Sequence, residues 1–123
     1  MKESPIFART YDLLLWLIPQ TLKFRREHRF TMAQRVQDVA LDFQERIIEA
    51  ALSDVQRRDD HLARADVDLT KLRLYLRLCK DLQLLSLGQY EHVSRMVVEI
   101  GKLLGGWRKK FVNQRLMKQA GRR

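Results

Sequence analysis

The stretch LRLYLRLCKDLQLL, residues 72–85, decides the fold. Its apolar and polar residues alternate as in a half-buried strand, so the first question is whether it is strand or helix. Placing each residue at 100° steps separates the two. On a helical wheel Arg73, Arg77, Lys80 and Asp81 gather in one arc of roughly 100°, and Leu69, Leu72, Leu74, Tyr75, Leu76, Leu78, Cys79, Leu82 and Leu85 fill most of the rest. As a strand, the segment would put Tyr75 and Cys79 on the same face as both arginines. Leu, Arg, Lys and Gln favour helix, and no Val, Ile or Thr lies between Lys71 and Leu85. The stretch is a helix, and its apolar arc is wider than a helix facing a single core requires.

Working outward, the same period recurs three more times. Residues 6–24 place Tyr11, Leu14, Leu15, Ile18 and Leu22 on one side, and Pro19 predicts a kink or interruption near Leu17, because proline lacks an amide donor and crowds the carbonyl of Leu15. Thr31 and Gln34 have capping-box spacing and predict a second helix to about Val55. Met32, Val36, Val39, Phe43, Ile47 and Ala50 form its core stripe; Asp38, Asp42, Glu45 and Glu49 form an acidic stripe, read as a solvated face or a dock for a basic partner. Leu41, Ile48 and Leu52 make a second apolar strip outside that core stripe.

Residues 53–70 read as a charged linker, short or partly helical. The third helix is then expected from about Asp66 to Leu85, with Asp66 and Asp68 complementing its positive end. Ser86 and Gln89 repeat the capping-box spacing and open a fourth helix. There Tyr90, Val93, Val97, Ile100, Leu104, Trp107 and Phe111 recur at threes and fours. Gly101 and Gly105 each cost about 1 kcal/mol relative to Ala inside a helix, so close approach of a neighbouring helix is expected there. From about residue 112 the strict period is lost, and a basic, frayed tail is expected.

Four amphipathic segments with short connections give an all-α fold, an antiparallel up-down four-helix bundle in one domain over residues 1–123. The surplus apolar positions on the third helix, Leu74 and Leu78, together with Leu41, Ile48 and Leu52, predict contacts between subunits of a homo-oligomer.

The formal charge is +9, with 24 Lys plus Arg against 15 Asp plus Glu. It is unevenly spread: the balance is −3 over residues 31–60 and +7 over residues 86–123. One cysteine, Cys79, excludes an intrachain disulfide, and its place on the apolar arc reads as a buried small hydrophobe. Three scattered histidines offer no metal-ligand spacing, so no metal or cofactor is expected. The longest apolar run, residues 13–18, is far short of the roughly 20 residues of a membrane helix, and nothing near the start reads as a cleavable signal; a cytoplasmic protein without membrane contact is expected.

No phosphate loop, paired histidines or nucleophile motif is present, so the chain reads as a binding protein rather than an enzyme. The candidate binding residues are cations. Arg95, Lys102 and Lys109 recur every seven residues on the fourth helix, joined by Arg108, Lys110, Arg115 and Lys118, while Arg73, Arg77 and Lys80 form the stripe on the third. Cations at regular spacing track phosphates and predict nucleic-acid binding through backbone and shape, with a steep salt dependence.

YDLLLWLIP at residues 11–19, KLRLYLRL at 71–78 and EIGKLLGGW at 99–107 resemble the four-helix-bundle family that contains Avd, the accessory variability protein of diversity-generating retroelements. The same family includes proteins encoded in intervening sequences of bacterial ribosomal RNA genes, an alternative identity whose role is unknown. A third alternative is a purely structural oligomer. The resemblance implies a ring of five subunits. It also implies binding of template RNA or cDNA and of the retroelement's reverse transcriptase, in support of mutagenic retrohoming. On that implication Arg73 and Arg77 contact nucleic acid or the transcriptase, and Gly101, Gly105 and Trp107 are structural. Arg25 and Ala33 stand where many relatives have Pro and Gly, which leaves the first turn open.

Overall fold

The computed structural model describes residues 5–121, apart from the side chains of Phe111, Gln114 and Arg115. All regular structure in this range is helical: α1 (Pro5–Thr21), α2 (Gln34–Leu52), α3 (Val55–Asp81) and α4 (Leu87–Ala120), with a 3-10 turn at Arg26–His28 and a wide π-type turn at Arg29–Ala33 between α1 and α2. Each helix packs on its neighbour in sequence, and α1 closes against α4. Cross-helix contacts fix the directions. Gln37 donates to Thr21 Oγ1 at 2.7 Å, Arg46 faces Asp68 at 3.9 Å, Asp66 pairs with Arg108 at 3.0 Å, and Arg9 pairs with Glu99 at 2.9 Å. Every adjacent pair is therefore antiparallel, and α2 and α4 lie on the diagonal.

The core is built by the expected stripes on α2 and α4. Val36, Val39, Phe43, Ile47 and Ala50 meet Val93, Val97, Ile100 and Leu104, with Leu62, Ala65, Leu69, Leu72, Leu76 and Cys79 of α3 between them. Met32 and Trp107 pack at its margin.

On α1 the buried face differs from the expected one. Ile6, Thr10, Leu13, Leu14, Leu17 and Thr21 are buried, whereas Tyr11, Leu15 and Leu22 are exposed. Two apolar arcs compete on this helix. The structure buries the one carrying two threonines, and Thr21 is satisfied there by donating to the Ile18 carbonyl and accepting from Gln37. The helix is not interrupted near Leu17. It continues through Pro19 and ends two residues later, at Thr21, so the lost amide bond to the Leu15 carbonyl falls in its last turn and few residues follow it.

Both ends of α2 are also revised. Thr31 lies inside the π-type turn and caps nothing, and α2 begins at Gln34 without a side-chain cap. Ala33 is buried in that turn, where a larger side chain would meet the core, and Arg25 is extended, with its guanidinium reaching the Leu82 carbonyl at 3.4 Å. At the other end Ser53 and Asp54 suffice as a linker. Asp54 accepts from the Arg57 amide at 2.9 Å and caps α3, which starts eleven residues before Asp66. Asp66 and Asp68 thus sit in the middle of the helix, away from its positive end. Asp66 pairs with Arg108, and Asp68 is buried beside Arg46.

Helix α3 stops at Asp81, short of Leu85. The Leu84 amide donates to the Cys79 carbonyl at 2.8 Å and the Gln83 amide to Lys80 at 2.9 Å, a Schellman closure that places Gln83 at φ 62°. Ser86 and Gln89 then form both halves of the capping box on α4. That helix runs on to Ala120 rather than fraying from 112, and Gln, Arg, Leu, Met, Lys and Ala are all compatible with helix. Among the described residues no helix is long and apolar enough to cross a membrane.

Candidate nucleic-acid interface

The cations singled out in the sequence fall into two groups once the helices are packed. The first lies along the seam between α3 and α4, and all of its members but Arg77 are held within the bundle. Arg108 donates to Asp66 Oδ2 at 3.0 Å. Lys80 stands 4.9 Å from the ring centre of Tyr90 and 3.5 Å from Asp81 Oδ1, a cation–π contact and an ion pair that use its charge locally. Arg73 lies across Gly101 on α4, its guanidinium filling the place where a Cβ would stand. Arg77 is exposed, one turn further along the same edge, with no ion-pair partner among the described residues.

The second group is the outer face of α4. Val93, Val97, Ile100 and Leu104 point into the core. Arg95, Lys102 and Lys109 lie roughly opposite them at 100° per residue, and all three are exposed. Lys110 is exposed beside them, and none of the four has an acidic partner among the described residues. The chain has no Asp or Glu after Glu99, so nothing further along the sequence offsets this charge. The side chain of Arg115 lies outside the described residues. The structure therefore separates residues that the sequence joined. Arg95, Lys102, Lys109 and Lys110 form one unneutralised row, Arg77 and Arg73 border it across the seam, and Lys80 and Arg108 have partners within the chain.

Gly101 explains how Arg73 is accommodated: the absence of a side chain there lets the guanidinium rest on α4. Gly105 does not have the expected role, since a Cβ added to it would meet nothing within 4 Å. Trp107 packs edge-on against Phe7 with ring centres 6.0 Å apart and joins α4 to the start of α1.

The residues expected at subunit contacts, Leu41, Ile48, Leu52, Leu74 and Leu78, are all exposed. They belong to two separate faces. Leu41, Ile48 and Leu52 lie toward α1, whose exposed Tyr11, Leu15 and Leu22 extend that apolar surface; Leu74 and Leu78 lie on α3 with Val67 and Leu82. The α1 contribution was hidden in the sequence because both arcs of α1 are apolar. The acidic row Asp38, Asp42, Glu45 and Glu49 runs between these faces and is solvent-exposed.

The α2–α3 seam holds a polar cluster that sequence spacing did not suggest. Arg46 and His61 approach Glu49 at 3.4 and 3.3 Å, while Asp68 Oδ2 is buried with no hydrogen bond, 3.9 Å from Arg46 Nε. Burial raises the Asp68 pKa above its ordinary value; Arg46 opposes this and the charge of Asp42 adds to it. Burial alone pushes the Cys79 thiol up to about 11, which makes it a packing residue without nucleophilic character at neutral pH.

A family model described as bAvd-like matches residues 6–111 of the chain. No curated protein matches it.

Proposed function

Because the chain belongs to the bAvd-like family, accessory proteins of diversity-generating retroelements, we propose that it is a non-catalytic subunit that binds nucleic acid through the outer face of α4. The observation that carries this reading is the row Arg95, Lys102, Lys109 and Lys110: exposed, its first three members about two helical turns apart, and without acidic partners among the described residues. Such a row follows a phosphate backbone and offers nothing that discriminates base edges, so template RNA and its cDNA are both suitable ligands. Arg77 and Arg73 extend the surface across the seam, and the reverse transcriptase of the retroelement is the protein partner. The protein works in the cytoplasm as a homo-oligomer, a ring of five, whose subunits meet through the exposed apolar residues of α1, α2 and α3.

The test is binding of a structured RNA and a matched DNA across a salt series. Replacing Arg95, Lys102 and Lys109 with Gln removes three phosphate contacts. It should flatten the slope of log K against log salt by roughly 2 to 3, at about 0.7–0.9 per contact. Replacing Lys80 and Arg108, whose charges are used inside the bundle, should change the slope far less. An unchanged slope in the triple variant would remove the α4 face from the reading.

A further inference from the structure

Beyond Arg108, helix α4 continues for three more turns, and every described side chain from Lys109 to Gly121 is exposed. Val112 is 44%, Leu116 59% and Met117 75% exposed. A helix of this length draws little stability from propensity alone and needs a packed face. The family match ends at residue 111, so most of this arm, residues 112–120, lies beyond the matched region.

We propose that the arm, residues 109–120, docks on the acidic face of α2 in a second copy of the chain. Three observations select that occupant. The first is charge: the arm carries Lys109, Lys110 and Lys118 and no acidic residue, while α2 presents Asp38, Asp42 and Glu45, each without an ion-pair partner among the described residues. The second is apolar matching. Val112 and Leu116, one turn apart, meet a strip in which Ile48 and Leu52 are also one turn apart beside the carboxylates, and a phosphate backbone would leave such side chains unburied. The third is length: at 1.5 Å per residue the arm beyond Arg108 extends about 18 Å and the acidic row about 17 Å.

The contact must be between copies. Helix α4 is continuous to Ala120 and antiparallel to its neighbours, so its end leaves the bundle at the same end as the C-terminus of α2 and cannot turn back along it. The interface joins two different surfaces, arm and α2, so it either closes as a reciprocal exchange between two copies or continues from copy to copy into a ring.

The arm reading shares Lys109 and Lys110 with the nucleic-acid row but does not require nucleic-acid binding, and the experiment keeps the two apart through Leu116, which carries no charge. The full chain is studied by sedimentation at fixed concentration, with RNA affinity measured in the same buffers. Leu116→Ser changes an exposed residue and leaves every cation in place. It should weaken self-association at least ~10-fold, from the lost burial of one leucine, while RNA binding per chain is kept. Asp42→Lys with Glu45→Lys should weaken it similarly. A mixture of the two variants should form a dimer, since one supplies an intact arm and the other an intact α2 face. In oxidising buffer a chain carrying Leu116→Cys should cross-link to a chain carrying Ile48→Cys. Unchanged association in Leu116→Ser, no dimer in the mixture, or no mixed cross-link would each overturn the proposal. So would a wild-type chain that stays monomeric on concentration. Unchanged RNA binding and an unchanged salt slope in the α4-face variant, with association intact, would refute the nucleic-acid reading alone.

Discussion

Gly101 and Gly105 allow one physical argument to be tested twice on the same helix. Both lie inside α4, where glycine costs about 1 kcal/mol relative to alanine through the backbone entropy it loses on folding. At Gly105 an added Cβ meets nothing within 4 Å, so Gly105→Ala should recover that whole amount, about 1 kcal/mol, or roughly 3–5 °C in Tm for a chain of this size. At Gly101 the added Cβ makes an ordinary contact with Leu69 Cδ2 at 3.6 Å and runs into the end of the Arg73 guanidinium. The leucine contact needs no adjustment. The arginine must swing off α4, losing the packing of its flat face, and Gly101→Ala should therefore gain about 0.5 kcal/mol less than Gly105→Ala. On an Arg73→Ala background the two gains should become equal, which is the double-mutant signature of that single contact. Urea unfolding at one fixed protein concentration measures all five variants, the three single changes and the two doubles. A destabilising Gly105→Ala would refute the reasoning, because it would mean that another backbone or subunit occupies the space beside Gly105. Equal gains with Arg73 present would show that Arg73 does not rest on Gly101.

Gln83 holds φ 62° at the end of α3, a conformation that costs a non-glycine residue roughly 1 kcal/mol, so Gln83→Gly should raise the urea midpoint, and Gln83→Val should lower it. Asp68 has a raised pKa in the fold, so between its ordinary value of 3.8 and its folded value the native state binds more protons than the unfolded chain. Stability attributable to this group therefore rises as pH falls through that window, and Asp68→Asn should remove that slope from a stability–pH profile. Cys79 is held as a thiol up to about pH 11, so the intact fold should resist alkylation at pH 8, and the thiol should react only on unfolding in urea.

How much of this was written in the chain can be judged helix by helix. The wheel of residues 72–81, the stripes of α2 and α4, the burial of Cys79 and the Ser86–Gln89 cap follow from period and spacing, and the packed helices keep them. These features are local: a residue's neighbours three and four positions away determine the face it shares. What spacing did not decide was where two local solutions compete. On α1 both arcs are apolar, and only the partner helices choose the arc with Thr10 and Thr21, because Gln37 offers Thr21 a hydrogen bond. The end of α3 carries no glycine or asparagine to mark it, and it closes at Gln83 because Leu85 must turn back into the core. The start of α3 reads as linker because its charges are legible but their cap, Asp54, is one residue among many acids.

The cations show the same division. Sequence alone determined that positive charge accumulates after residue 86 and that no acid follows Glu99. Only the tertiary structure decided which charges remain available, because Asp66 reaches Arg108 from another helix, Tyr90 lies beneath Lys80, and Gly101 lies beneath Arg73. Charge is a property of the residue, whereas its availability depends on what packing brings within a few ångströms, and residues forty positions apart in the chain meet only when the helices do.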